Sequence, residues 1–337
     1  MEESRGTFYL DGEYRKGIYY SDENRFEENE NVREEIFYIP KPVNAHTHIG
    51  DSFIKEEPVG TLAEVVGPGG FKLRRLKSSD PEVLIDNIKN SINYMKGIGM
   101  GTFIDFREAG SSSIETIKAI RSSHPGSIIL GRPENLEDLE KIKELINGIG
   151  FSAVSDDDND LMISLGKRAR NLGLIVSTHY SENRQEPIEP LYELKPDLLI
   201  HCTALDRNKL QALKPITNNV AITPRSNFFF NIRPDYKMFL EEDINLMLGT
   251  DNVMTVNPNI FEEMDFLFRI QKNLNRIEPE EIMKMAFHNP FKFMQKSGIR
   301  NGENWIKFMG KIPSPYQIVT KFHLLNPVEI DFSMDAL

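Results

Sequence analysis

The chain has a single cysteine among its 337 residues, Cys202, so an intrachain disulfide is excluded and a reducing, cytoplasmic setting is expected. It lacks any apolar run near the ~18 residues of a membrane helix. Its opening MEESRGTFYLDGEYRKG is polar where a secretory leader would be apolar. Basic residues are in deficit, 40 Lys and Arg against 51 Asp and Glu, for a formal charge of -11. A phosphate-backbone binder needs a basic face, so nucleic acid is discounted as a partner, as is membrane, and a small molecule is expected instead. There is no fixed-period repeat, low-complexity tract or heptad series, and no GxGxxG follows the first strand-like run, which weakens a dinucleotide-binding reading. A hydrophobic share of 39% supplies ample core and excludes disorder as the main state. The oligomeric state is left open, with a homo-oligomer admitted.

What the sequence does contain is an alternation of short β-rich runs and longer helical patterns. Strands are expected at Val43–His48, Gly101–Phe106, Ser127–Leu130, Phe151–Ser155, Leu174–His179, Leu198–Cys202, Val220–Thr223 and Asn245–Gly249. Between them, Pro81–Gly97, Ser112–Ser122, Asn135–Gly148 and Asp160–Leu172 carry apolar residues at three- and four-residue spacing, the helical signature. Eight strands separated by helices point to parallel βαβ units. Their spacing suits a (β/α)₈ barrel of about 250 residues, with an open doubly wound sheet as the alternative. Residues 1–42 read instead as short strands, Thr7–Leu10, Gly17–Tyr20 and Glu35–Ile39, and the tail Gln317–Leu325 also reads as a strand. The expected division is a small β-domain from 1–42 with 305–337, and a barrel over 43–304.

Histidines carry the chemistry. The first strand ends in VNAHTHIGD, where His46 and His48 are two apart and leave one face of a strand. At the C-terminal rim of a barrel strand that face points into the mouth, where active sites are built. Two neutral imidazoles there are costly to bury without a shared partner, and a divalent metal supplies one. Taken alone, the pair also fits exposed or core-satisfied histidines. His179 ends the fifth strand in LIVSTHYSE, His201 the sixth in LLIHCTAL and Asp251 the eighth in LMLGTDN. Five such residues at one rim are hard to assign to capping and packing.

With AHTH, HYSE, IHC, TPRSN and LGTDN in place, the chain resembles the amidohydrolase superfamily, within it the cytosine deaminase, guanine deaminase and chlorohydrolase branch. The resemblance covers most of residues 40–295. It implies an α/β fold, a distorted (β/α)₈ TIM barrel with a small β-sandwich built from both chain ends. It also implies one Zn²⁺ or Fe²⁺ per chain, held by His46, His48, His179 and Asp251 with water completing the site. Binuclear members use a carboxylated lysine at the end of the fourth strand. Here that strand reads GFSAVSDDD, so a mononuclear site is expected. The acidic cluster Asp156–Asp158 reads as a solvated turn before the next helix.

A metal lowers the pKa of its water towards neutrality, and a second group must then shuttle protons. By the resemblance that group is Glu182, at the HxxE position. His201 would orient the water or add a further ligand, and Asp251 would double as a base. Ser226 and Asn227 of TPRSN would shape the rim. Lys72, Arg74 and Arg75, with Lys77, make a basic patch in the loop 58–80, which could clamp an anionic substrate group or simply be solvated. Arg107, Glu108 and Arg132 are further rim candidates; Arg225 faces substrate or forms a salt bridge. Phe228–Phe230 either stacks on a planar heterocycle or fills core. The N-terminal segment is short, IPKPVNAHTH lacks a Pro-Gly pair common in relatives, and the C-terminal signature is faint in MGKIPSPYQIVTKF.

The leading expectation is an aminohydrolase releasing ammonia from a heterocyclic amine such as a nucleobase, pterin or nucleoside derivative. A cyclic amidohydrolase or a chlorohydrolase-like enzyme is the alternative. A non-catalytic barrel that binds metal or ligand is the reading from a different class.

Overall fold

A computed structural model describes residues 3–32, 35–156, 158–296 and 305–330. Asp157 of the acidic cluster, the expected barrel end at residue 304 and the tail residues 331–337 lie outside these. Four strands come first: β1 (Glu3–Leu10), β2 (Glu13–Tyr20), β3 (Arg25–Glu28) and β4 (Ile36–Pro40). Nine further strands follow: β5 (Val43–His48), β6 (Thr102–Arg107), β7 (Ile128–Gly131), β8 (Gly148–Ala153), β9 (Ile175–Tyr180), β10 (Leu198–His201), β11 (Asn219–Ile222), β12 (Asn245–Leu248) and β13 (Asp251–Asn252). The last two are β14 (Trp305–Met309) and β15 (Glu329–Ile330).

Strands β5 to β13 form one sheet in which every neighbouring pair is parallel. The eighth barrel strand is broken into two parts: β12 pairs with β11, and β13 pairs back onto β5, Asp251 opposite Thr47. That return closes the ring, which decides for the barrel over the open sheet. Its interior is filled by alternating residues, among them Val43, Ala45, Ile104, Phe106, Ile128, Leu130, Ile175, Leu198, Ile200, Ala221 and Met247. A second, larger apolar layer packs the outer faces of the strands against the helices.

The closure rests on a small clasp. Asn44 Nδ2 donates to Thr250 Oγ1 at 2.7 Å, and Asn44 Oδ1 accepts from the Thr250 amide at 3.1 Å, both buried. The Thr250 amide also reaches His46 O at 2.9 Å. Gly249 is required there, since a Cβ would stand 2.7 Å from the His46 amide nitrogen. The approach of two backbones excludes any side chain.

The small β-unit expected from the two ends is one six-stranded sheet, in the order β15-β14-β4-β1-β2-β3. Phe8, Tyr19, Tyr38 and Trp305 cluster on it, with Phe8 and Tyr38 stacked at 4.5 Å. One expectation is corrected here. Residues 317–325 are helical, a helix over Pro315–Lys321 followed by a 3₁₀ turn over Phe322–Leu324. Ser314 and Gln317 form a capping box and Pro315 sits at the first helical position, and these start signals override the β-propensity of Ile318-Val319-Thr320. The C-terminal strands are β14 and β15 instead.

Two other boundaries move. Strand β8 begins at Gly148, three residues before the expected Phe151, and the helix before it ends at Ile142. Gly148 and Gly150 look like breakers, but added Cβ atoms would stand 2.5 Å from Ile175 O and from the Phe106 ring, so close packing selects glycine inside the strand. The expected loop 58–80 contains two short helices, α1 (Leu62–Val66) and α2 (Phe71–Lys77). No helix among the described residues is long and apolar enough to cross a membrane.

Asn44→Ala is expected to lower the unfolding free energy by about 1–3 kcal/mol, because it strands the buried Thr250 groups. Urea titration with an unchanged m-value would register this; unaltered stability would mean that the clasp does not hold the ring closed.

Candidate active site

Each rim residue is aimed by a separate local device. On β5, plain alternation from Val43 and Ala45 would turn His46 and His48 away from the interior. A register shift between Asn44 and Thr47 against β6 re-aims them. On β9, His179 follows Ile175 in the period of two and faces the same way. On β10, Leu198 and Ile200 face inward, so His201 is out of phase. It enters the mouth because its backbone is left-handed, φ 72°. Asp251, four residues after the inward-facing Met247, is in phase with the interior, and its backbone too is left-handed, φ 67°. For residues other than glycine this conformation costs on the order of 1–3 kcal/mol and persists only where surrounding structure fixes it.

The result is a buried cluster. His46, His48 and His179 offer ligand atoms within 4.8 Å of one another, and so do His46, His201 and Asp251. Asp251 Oδ1 lies 3.3 Å from His46 Nε2 and 3.5 Å from His48 Nε2. Its Oδ2 accepts from Ser226 Oγ at 2.6 Å, and Asn252 Nδ2 donates to Oδ1 at 2.9 Å. His179 Nδ1 lies 2.8 Å from Phe151 O, a carbonyl that can only accept, so Nδ1 carries the proton and Nε2 keeps its lone pair for the centre. Neither ring nitrogen of His46 makes a hydrogen bond of good geometry, although the side chain is fully buried and Asp251 Oδ1 stands 3.3 Å from Nε2.

Such orphaned buried nitrogens are costly unless a cation takes them. Burial lowers all four imidazoles, His48 to about 3 and His201 to about 4, so they stay neutral and ligand-ready. Burial alone would raise Asp251, but the His46, His201 and His48 rings around it hold its carboxyl well below the ordinary range. Neutral nitrogens with one carboxylate fit a divalent ion of the Zn²⁺ or Fe²⁺ kind.

Behind His48 lies a buried charge network. Glu108, just past β6, places Oε1 2.8 Å from His48 Nδ1. Lys72 Nζ, from α2, is 2.5 Å from the same oxygen, and Arg107 donates to Glu108 Oε2 at 2.8 Å. Desolvation works against the Glu108 charge, but Lys72, His48 and Arg107 hold its carboxyl well below the usual range. Asp51 and Asp105, also fully buried, are pushed up by burial to about 7 and about 6. Lys72 thus faces Glu108, and through it the centre, from beneath a helix in the segment that the sequence alone leaves open between an anion clamp and a solvated loop. Asp51, Asp105 and Asn44 were not singled out in the sequence. The only cue was their place beside HTH and at strand ends.

Glu182 follows β9 and brings Oε2 to 3.5 Å from His201 Nε2; its buried Oε1 has no hydrogen-bond partner. Burial, reinforced by Asp251 and Glu186, raises its carboxyl well above the ordinary range. Glu182 also borders a cavity of about 350 Å³ whose wall includes Asn183, Thr203, Phe230, Asn231 and Arg233. These wall residues were missed except Phe230, since nothing in a linear pattern marks them. Phe228 packs edge-on to Phe266 at 5.1 Å, and Asn227 accepts from Tyr236 Oη at 3.0 Å.

The remaining cations are engaged elsewhere. Arg225 binds Glu263 and Glu262 at 2.7 and 2.6 Å and donates to the carbonyls of Asn257 and Asn259. Arg75 pairs with Glu56, and Arg74 donates to Gly69 O, both exposed. His201 Nδ1 faces Thr223 Oγ1 at 3.3 Å.

The family model described as "Amidohydrolase family" matches residues 37–299. The chain belongs to the amidohydrolase family. It is a hydrolase acting on carbon–nitrogen bonds. It is 32% identical over 319 residues to an uncharacterized protein of Methanocaldococcus jannaschii, covering 88% of this chain and 82% of that one. It is 30% identical over 260 residues to a protein of Archaeoglobus fulgidus provisionally named an aminohydrolase, covering 74% and 76%. Among solved structures it is similar to guanine deaminase of C. acetobutylicum with bound guanine, TM-score 0.76, 16% identity, 96% and 95% covered. It is similar also to atrazine chlorohydrolase of Arthrobacter aurescens complexed with zinc, TM-score 0.72, 13% identity, 89% and 88% covered. These two likenesses establish the fold.

Elemental analysis of purified amidohydrolase should find one divalent ion per chain, lost in His46→Ala and in Asp251→Ala; a wild type that takes up no metal under any condition would refute the centre. In the metal-free protein the neutral burial of His48 and His201 should contribute a loss of stability as pH falls from about 6.5 towards 4, opposed over that range by the raised carboxyls of Asp51 and Asp105. His48 and His201 stay neutral while folded, whereas the unfolded chain takes up protons below about 6.5, each costing up to about 1.4 kcal/mol per pH unit. Above pH 6.5 these two groups contribute no slope, so in thermal melts the stability of the wild type relative to His201→Gln should fall as pH drops below 6.5 and stay constant above it; a difference that does not change with pH would refute the neutral burial of His201.

Proposed function

We propose that the enzyme is a metal-dependent aminohydrolase that replaces the amino group of a heterocyclic amine by oxygen and releases ammonia. The observation that carries this reading is the Glu182 carboxyl: largely buried, with one oxygen facing His201 and the other, Oε1, buried without a partner, at the junction of the histidine cluster and the cavity. His46, His48, His179 and Asp251 would hold one divalent cation, Zn²⁺ or Fe²⁺, which when bound supplies an activated water.

The chain's own groups then manage the protons. Glu182, held protonated by burial, gives its proton to a ring nitrogen beside the reacting carbon and regains one from the attacking water. Its raised pKa lets it hold that proton near neutral pH. Asp251, kept ionised, takes the second proton of that water. The proton goes on to the amino nitrogen, the carbon–nitrogen bond breaks, ammonia leaves and the ring carbon becomes a carbonyl. His201, neutral through burial, orients water and Glu182 together. Thr223 steadies His201, and Ser226 fixes the Asp251 oxygen that faces away from the histidines. The provisional aminohydrolase name of the A. fulgidus relative agrees with this reading.

Metal-replete enzyme should release ammonia from at least one member of a panel of purines, pyrimidines and pterins. Glu182→Gln should cut kcat by about 10²–10⁴-fold with metal content unchanged. Ring opening or chloride release with no ammonia would sink the deaminase assignment.

A further inference from the structure

Arg233 lines the cavity that Glu182 borders, and Lys72, Arg74, Arg75, Arg107, Arg132 and Arg225 do not. Lys72 and Arg107 are pinned to Glu108, Arg75 to Glu56, and Arg225 to Glu262 and Glu263. Arg233 lines the same cavity as Glu182, and among the described residues no carboxylate lies within ion-pair distance of it. It is nonetheless held in place. Its guanidinium carbon sits 3.8 Å from the centroid of the Phe228 ring, which is braced edge-on by Phe266. One terminal nitrogen, Nη1, donates to the carbonyls of Phe228 and Ile232, each at 3.1 Å. Among the described residues nothing accepts from Nε or Nη2. A guanidinium fixed by one nitrogen and one face, with its other edge free, is prepared to bind two oxygens of a planar or tetrahedral anion side by side.

The rest of the cavity wall fits a substrate with two chemically distinct ends. Glu182 marks the reacting end; Phe230 offers an aromatic surface; Asn183, Asn231 and Thr203 offer neutral hydrogen-bonding groups. A cavity of about 350 Å³ admits a heterocycle with a short arm.

Building on the aminohydrolase reading, we propose that Arg233 is a specificity residue, and that the natural substrate is a heterocyclic amine carrying a carboxylate or phosphate group, bound at Arg233 away from the amine that is lost. Arg132, half-buried beyond β7 and donating to Gly150 O, is outside this cavity and is not part of the anion subsite.

The test uses matched probes that differ only in the anion: pterin against pterin-6-carboxylate, and guanosine against guanosine 5′-monophosphate. Calorimetric binding is measured on metal-replete Glu182→Gln protein, where turnover is suppressed, and ammonia release on enzyme with Glu182 intact. In at least one pair the anionic member should bind tighter by about 10- to 100-fold, the effect of a charge-assisted hydrogen-bond pair. The pair that shows this tells carboxylate from phosphate. Arg233→Gln should erase the difference, Arg233→Lys restore part of it, and Arg132→Gln leave it in place. On the intact enzyme Arg233→Gln should raise KM for the anionic substrate by a similar factor with kcat nearly unchanged. Equal binding within both pairs, or a preference that survives Arg233→Gln, overturns the anion subsite whatever the ammonia assay shows. Anion-dependent binding without ammonia from any probe leaves the subsite standing and counts against the deaminase reading alone. Because Arg233 is exposed, its substitution is compatible with folding, and circular dichroism of each variant confirms that.

Discussion

The contact on which the structure turns is the return of the last barrel strand onto the first. Backbone pairing of Asp251 and Asn252 with Thr47 and His48, and the Asn44–Thr250 clasp beneath it, bring together residues from opposite ends of a long stretch of chain. Without that closure Asp251 would stand at a sheet edge, and His46 and His48 at the other. Gly249 shows how tight the seam is, since there is no room for a single extra carbon. The fold therefore assembles the centre by completing its own hydrogen-bond ladder.

Closure has an electrostatic consequence. It removes four imidazoles and several carboxylates from water at once, and desolvation then penalises every charge not matched by a partner. The histidines respond by staying neutral. The carboxylates divide: Asp251 and Glu108, ringed by imidazoles or cations, remain ionised, while Glu182, which has no cation beside it, is pushed towards its protonated form. Two carboxyls with opposite protonation preferences at one centre are the arrangement that acid–base chemistry at neutral pH needs. Lys72 joins this balance from α2, so the segment above the mouth is tied electrostatically to His48 through Glu108.

Much of this was legible in the chain. Each of the motifs AHTH, HYSE, IHC and LGTDN ends a β-rich run, and C-terminal strand ends of a parallel barrel converge on one rim. Position within a strand was enough to place His46, His48, His179, His201 and Asp251 in one neighbourhood. The segments between were harder to read. The tail at Gln317 carries β-branched residues that resemble a strand, and only the capping box at Ser314 shows otherwise. The basic patch at 72–77 looks like one cluster, yet the fold buries Lys72 and leaves Arg74 and Arg75 outside. Linear spacing does not say which side of a helix meets the protein when the helix is short and polar.

By itself, the sequence determined the period-two and helical patterns, the order of strands and the chemical identity of the rim groups, because these depend on local repeats and residue type. Tertiary structure decided which way those groups point. The register shift in β5 and the left-handed backbone at His201 reverse the facing that alternation alone would assign. Such reversals are imposed by neighbouring strands, which hold conformations that an isolated segment would avoid. The same holds for Arg233 and its cavity: a guanidinium stacked on Phe228 and left without a counter-ion exists only once the loop after β11 is packed beside Glu182.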